Sequence, residues 1–255
     1  MRHTSTLRRW TGIVVLAAIA LSTTPLAQPG RRLNLPLHRS LVTVVRIKPE
    51  MLDEWRDVEK TGVVPALKKQ GVTTRTVYAA GPFGQAFEYT IVQPLTKFAD
   101  FDVPEAQAVA LGLVVDAHLA EKLRACTLGT NSFLSTDLPD LSNAGERTKA
   151  PIVGFLRVRV APGKMEEYEG LFKAEALPAL KKANAAITVA RRGLGTDGYD
   201  LTFETPMATF AELDDPPPLV RALGPGAVAV LAARLNTIAT VMENTILIRQ
   251  ADLSF

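Results

Sequence analysis

The chain has 255 residues, of which 47 % are hydrophobic and 22 % charged, and it carries one cysteine. That length allows one large domain or two small ones with real cores. A lone cysteine excludes an intrachain disulfide framework in any compartment.

The first residues have the form of an export signal. Arg2, Arg8 and Arg9 make a basic start, an apolar run from Gly12 to Leu21 follows, and Pro25-Leu26-Ala27 closes the segment. Residues 1–27 are therefore expected to be removed after Ala27, placing the mature chain in the periplasm or outside the cell. The apolar run is shorter than the roughly 20 residues a membrane span needs. The mature chain is thus expected to hold no span. Of the 29 Lys and Arg, three lie in this leader, which has no acids, so the remainder balances 26 basic against 26 acidic residues. No basic footprint remains for nucleic acid or an anionic membrane surface.

The rest of the chain is written twice. Val45-Arg46-Ile47-Lys48-Pro49 returns 113 positions later as Val158-Arg159-Val160-Ala161-Pro162, and Val64-Pro65-Ala66-Leu67-Lys68-Lys69 returns as Leu177-Pro178-Ala179-Leu180-Lys181-Lys182. Pro94 with Phe98-Ala99 returns as Pro206 with Phe210-Ala211 at an offset of 112, so one residue is lost between. Such a period governs the fold.

In chain order, Leu41 to Lys48 alternates as a strand. Pro49 opens a helix whose apolar positions Met51, Trp55, Val58 and Gly62 share one face, with a kink or restart expected at Pro65 and an end at Gly71. Val72 to Ala80 and Phe87 to Gln93 are strands around the turn Gly81-Pro82-Phe83-Gly84. A helix from Pro104 to Ala125 and a strand from Thr127 to Ser135 finish the unit. The second copy predicts a strand Ile152–Val160, a helix Met165–Lys182, strands Ile187–Arg192 and Tyr199–Thr205, a helix Leu219–Ala239 and a strand Thr240–Ile248. Each copy is β-α-β-β-α-β, the ferredoxin-like order. The expected boundaries are 38–136 for the first unit, 137–150 for a polar linker and 151–252 for the second.

The run Phe155-Leu156-Arg157-Val158-Arg159-Val160-Ala161-Pro162-Gly163-Lys164-Met165-Glu166-Glu167-Tyr168, followed by Leu177-Pro178, resembles the dimeric α/β-barrel superfamily, which includes antibiotic-biosynthesis-type monooxygenases and NIPSNAP-like domains. The resemblance covers both halves. It implies an α+β protein in which two tandem ferredoxin-like units of one chain pack sheet to sheet as a pseudo-dimeric barrel. Some members bind haem through a His, so a ligand role for His118 on the second helix, one of two His in the mature chain with His38, is one reading. An imidazole satisfied on a helix surface is the competing reading, and neither a cofactor nor a metal is expected.

Period-two alternation sorts the strand faces. Leu41, Thr43, Val45 and Ile47 match Gly154, Leu156, Val158 and Val160 under the helices, with Phe87, Tyr89 and Ile91 matching Tyr199, Leu201 and Phe203. The helix-free face carries Val42, Val44 and Arg46, matched by Phe155, Arg157 and Arg159, and Glu88, Thr90 and Val92, matched by Asp200, Thr202 and Glu204. Arg46–Glu88 and Arg159–Asp200 are candidate cross-strand ion pairs, either neutralising each other or lining a polar cavity in which Arg grips an anionic or carbonyl-bearing ligand and a carboxylate acts as base. Arg157 and Glu204 replace Val44 and Val92, so a site should lean toward the second half. Asn131 and Asn244, aligned on the last strands, join Arg46, Glu88, Arg157, Arg159, Asp200 and Glu204 as candidate lining residues.

Other motifs carry less. Gly193-Leu194-Gly195-Thr196-Asp197-Gly198 has the letters of a dinucleotide loop, but a strand follows where that motif needs a helix, so it is a hairpin turn. Cys126 is expected to be a buried thiol. Trp55 and Tyr168, matched on the first helices, are expected in the core. Three functions remain open: an exported small-molecule binder, a cofactor-free monooxygenase-like enzyme acting on an aromatic or quinol-like substrate, and an interaction domain with a filled barrel. A homo-oligomer is compatible with each.

Overall fold

The computed structural model describes residues 38–102, 117–143 and 149–255. The expected leader, the start of the helix from Pro104 and part of the linker lie outside the described residues. Strands β1 (Arg39–Ile47), β2 (Thr76–Ala80), β3 (Glu88–Pro94) and β4 (Thr127–Asp137) form the first unit; β5 (Ile152–Val160), β6 (Thr188–Arg192), β7 (Asp200–Met207) and β8 (Ala239–Arg249) form the second. The eight strands close into one barrel in the order β1-β3-β2-β8-β5-β7-β6-β4. Each unit has its own four consecutive strands, 4-1-3-2 in the first and 8-5-7-6 in the second.

The two units join by strand edges. Tyr78, Ala79 and Ala80 of β2 pair with Arg249, Ile248 and Leu247 of β8, and Ser135, Thr136 and Asp137 of β4 pair with Arg192, Arg191 and Ala190 of β6. Edge pairing satisfies the backbone groups that an open sheet would leave exposed, which is why closure is favoured over two facing sheets.

The helix-side faces form the cores, as alternation predicted. Val45, Ile47, Tyr89 and Ile91 pack with Trp55 in one, and Val158, Val160, Leu201 and Phe203 pack with Tyr168 and Phe172 in the other. Trp55 and Tyr168 are each buried beside a ring of the third strand of their unit, Trp55 at 4.4 Å from Tyr89 and Tyr168 at 6.3 Å from Phe203. Phe87 and Tyr199 depart from this pattern. Both precede their strands and remain partly exposed.

The helices follow the repeat. In the first unit α1 (Leu52–Val58) passes through one π turn (Glu59–Val63) into α2 (Val64–Lys69), and α3 (Ala117–Cys126) leads into β4. In the second, α4 (Met165–Leu171) passes through a π turn (Phe172–Ala176) into α5 (Leu177–Lys182). The expected kink at Pro65 and Pro178 is thus a widened turn placed before each proline, and the backbone stays right-handed helical through it. Proline lacks the amide donor and crowds the carbonyl four residues back, and a wider turn relieves both. The helix expected over Leu219–Ala239 is broken into α6 (Pro218–Leu223) and α7 (Pro225–Asn236). Gly224, at φ 81°, adopts a conformation that stops the helix, and Pro225 starts the next.

Two segments are more integrated than expected. In the linker, Leu141 is buried in the second unit's core and Asn143 bridges to Ile187. After β8, the chain returns to the first unit: Leu253 is fully buried there, and Arg75 and Phe255 exchange two backbone hydrogen bonds of 2.8 Å. Arg75 is itself buried, with its guanidinium 2.8 Å from the buried Glu59 carboxylate. Burial, the larger effect, raises the Glu59 pKa against the lowering by Arg75.

Candidate functional site

The helix-free faces of all eight strands turn toward the barrel axis and enclose a cavity of about 660 Å³. Drug-sized ligands occupy pockets of roughly 300–1,000 Å³. Val42, Val44, Val92, Tyr78, Phe133 and Phe155 make its apolar wall, and Phe83 and Gly84 from the β2–β3 turn border it. Of the expected lining residues, Arg46, Glu88, Asn131, Arg157 and Glu204 all face this space.

The second half holds the denser charge. Arg157 donates from Nη1 to Asp200 Oδ2 at 3.0 Å and from Nε to Glu243 Oε2 at 3.2 Å. Arg159 donates from Nε to Asp200 Oδ1 at 2.8 Å and lies 3.2 Å from Asp197. The expected Arg159–Asp200 pair is therefore present, with Arg157 added to it. Asp200 is 2 % exposed. Burial pushes its carboxyl up, and the hydrogen bonds from Arg159 and Arg157 outweigh that and hold it below the ordinary value. This group braces the barrel end. Neither Asp200 nor Arg159 borders the main cavity; Arg159 instead borders a smaller depression with Asp197 and Tyr199. Their expected lining role is corrected accordingly, because both sit at the strand ends beyond Arg157.

In the first half Arg46 stands opposite Glu88 in register, without an ion pair closing between them among the described residues. Arg46 is solvent-exposed. Glu88 is half-buried, and burial together with the Glu243 carboxylate raises its pKa against the pull of Arg46, Arg192 and Arg157.

Two functional candidates escape the strand-by-strand alignment. One is Glu243. Asn131 pairs with Val44 and Glu243 pairs with Arg157, and Val44 and Arg157 are repeat counterparts, so Glu243 occupies the place of Asn131. Asn244 pairs with Leu156, whose side chain packs on the helix side, so Asn244 meets the cavity only at its border. A one-residue slip exchanges the faces of a strand, and the 112 offset found at Pro94 and Pro206 persists through β8.

The other is Arg192, at the end of β6. Its guanidinium carbon lies 4.2 Å from the centre of the Phe133 ring and 5.8 Å from that of Phe155. Its Nε is buried without a hydrogen-bond partner, and no described carboxylate closes an ion pair with it, although it lines the cavity. Burial, then the charge of Arg157, pulls its pKa down to about 10 against Glu243, Asp200 and Glu204. Aligning Gly81 with Gly193 places Arg192 opposite Ala80, a contrast that would have marked it. Thus Arg157, Arg192, Glu204 and Glu243 stand where the first half has Val44, Ala80, Val92 and Asn131.

His118 is exposed on α3 and does not border the cavity. No imidazole, thiol or thioether occurs among the described lining residues, and no group of three or more metal-holding side chains occurs among the described residues. The donor set of the chamber thus does not fit an axially ligated haem. Cys126 is fully buried at the α3–β4 junction, and burial pushes its thiol pKa up, consistent with a packing role. Gly193 to Gly198 form the β6–β7 turn, as expected; Gly195 at φ 91° packs so closely on β4 that a Cβ would lie 2.5 Å from the Ser132 carbonyl oxygen.

No family model matches the sequence, and no curated protein matches it. Among solved structures, the chain is similar to chlorite dismutase from Candidatus Nitrospira defluvii, in complex with imidazole, at 12 % identity and a TM-score of 0.53 over 84 % of this chain and 91 % of that one. It is similar to an anthrone oxidase-like protein at 10 % identity and a TM-score of 0.50, over 83 % and 91 %, and to a proposed monooxygenase from Lactobacillus acidophilus NCFM at 10 % and 0.50, over 86 % and 95 %. The chain has the dimeric α/β-barrel fold. One polypeptide supplies both ferredoxin-like units, and at these identities the likeness carries the fold and no residue roles.

Proposed function

We propose that this is an exported small-molecule-binding protein whose ligand occupies the barrel. The observation that carries the reading is a cavity of about 660 Å³ in which the partly buried Arg192 lies against two aromatic rings and leaves its buried Nε without a hydrogen-bond partner. A packed, filled barrel would leave no chamber of this size and would satisfy that Nε, because a buried donor without an acceptor costs about 1–3 kcal/mol. The leader-like residues 1–27 support export, and sequencing the N-terminus of the secreted protein tests it, Gln28 being the expected first residue.

The binding reading is tested by thermal shift across a broad metabolite panel, using the wild type and Val44→Phe, which adds a ring to the cavity wall. A ligand at 100 times its Kd stabilises by about 2.7 kcal/mol, or roughly 5–10 °C for a domain of this size. The shift should vanish in Val44→Phe. A panel without any shift that Val44→Phe abolishes would rule the reading out.

Glu88 supports a second reading, cofactor-free chemistry on an aromatic or quinol-like substrate. It faces the cavity, is half-buried and has a raised pKa, as a general base needs. It would take a proton from the substrate, with dissolved dioxygen as the oxidant. Oxygen uptake with a panel of quinols tests this: Glu88→Gln should lower the rate about 10²-fold or more while leaving binding intact.

A further inference from the structure

Three arginines and three glutamates line the chamber: Arg46, Arg157 and Arg192 against Glu88, Glu204 and Glu243. Their states differ. Arg157 is held by Asp200 and Glu243. Arg46 is exposed, where water satisfies it. Arg192 is partly buried, forms no ion pair with a carboxylate among the described residues, and has a buried Nε without a hydrogen-bond partner. Its face is covered by Phe133 and flanked by Phe155, which leaves the edge of the guanidinium for a partner. A guanidinium edge carries parallel N–H donors that match a carboxylate in the same plane.

We infer that the ligand is a flat organic monoanion, by class an aromatic carboxylate, whose carboxylate meets the edge of Arg192 while its ring lies against Phe133, Phe155 and the valine wall. The inference rests on the barrel being a binding chamber, and it names what that chamber selects. A neutral carbonyl ligand offers Arg192 one uncharged acceptor, weaker than the paired, charge-assisted bonds of a carboxylate. A dianion meets Arg192 with one charge and brings the other toward Glu88, a carboxylate that closes no ion pair among the described residues. An aliphatic acid satisfies Arg192 but forfeits ring contact with the aromatic wall.

Three probes of one shape test this on the full mature chain: 2-naphthoate, its neutral amide 2-naphthamide, and the dianion naphthalene-2,6-dicarboxylate, each titrated by calorimetry at neutral pH. Wild-type protein should bind 2-naphthoate at least tenfold more tightly than either relative. Arg192→Met should weaken 2-naphthoate at least tenfold and move 2-naphthamide less than threefold. Arg192→Lys, which keeps the charge and loses the fork, should fall between them, and it decides the matter if the methionine variant does not fold. Equal affinity for acid and amide, or 2-naphthoate binding indifferent to both substitutions, overturns the inference. So does absence of 2-naphthoate binding. In each case the chamber reading stands as long as any compound gives a shift that Val44→Phe abolishes, so the two failures are distinguishable.

Discussion

The guanidinium of Arg192 lies 4.2 Å from the centre of the Phe133 ring, across the β4–β6 seam that joins the two units. Each residue comes from a different copy of the repeat. The seam therefore does two jobs: it closes the barrel, and it sets a cavity arginine with an unsatisfied buried Nε against an aromatic wall.

Phe133 is 4 % exposed and supports that arrangement. Phe133→Ala should cost about 3–5 kcal/mol, as for other buried aromatic truncations, seen as a lower urea midpoint with an unchanged slope. Phe133→Leu, which keeps most of the apolar volume, should cost clearly less.

The buried Glu59–Arg75 pair predicts a non-additive series. Arg75→Met strands a carboxylate that is 3 % exposed, and should cost about 3–5 kcal/mol. The joint Glu59→Leu and Arg75→Met variant should recover much of that loss, because both desolvated charges are gone. Chemical denaturation of the two single variants and the double variant checks the sign of the coupling; a double variant as unstable as the sum of the singles would refute it.

The C-terminal return is expected to clamp the first unit. Deleting residues 251–255 removes the fully buried Leu253, the paired backbone bonds between Arg75 and Phe255, and the Ser254 hydroxyl that accepts from the Val77 amide at 3.0 Å. Loss of the Leu253 side chain by itself is expected to cost about 2–5 kcal/mol. Native-state hydrogen exchange should show the amides of Arg75 and Val77 losing protection first.

Asp200 ties stability to acid. Its native pKa is below the ordinary value of 3.8, so its contribution is complete above that value and fades as pH falls through the lower native one. Asp200→Asn should lose about 2 kcal/mol at neutral pH, the scale of hydrogen bonds to charged groups. Its stability should also decline less steeply between pH 5 and pH 2 than the wild type, assuming the usual window for a lowered carboxylate. Melting curves across that range measure both effects.

Much of the architecture was legible in the chain. The 113-residue period identified two equivalent units, and period-two alternation separated the helix-side core from the cavity face, placing Val44, Arg46, Glu88, Arg157 and Glu204 correctly. Glu243 was missed because the shorter offset continues into β8, and a slip of one residue in a strand exchanges its faces. Arg192 was missed because it follows Arg191 at a strand end, where two adjacent arginines read alike. Arg191 turns to Glu169 on α4, and Arg192 turns into the cavity. The break around Pro65, repeated at Pro178, was visible, whereas the stop at Gly224 was read through as one helix over Leu219–Ala239, although proline and glycine act locally on the backbone.

The sequence by itself determined the duplicated β-α-β-β-α-β order, the apolar faces that pack under the helices, and the excess of charge in the second half. These follow from local rules of alternation, helical period and the backbone limits of proline and glycine. Only the tertiary structure decided which charges meet. Asp200 joins Arg157 and Arg159, Glu243 reaches Arg157, and Arg192 stands beside Phe133 with its Nε unsatisfied, because barrel closure pairs strands far apart in the chain. That closure depends on edge pairing and register summed over eight strands, a property that no single segment of the sequence contains.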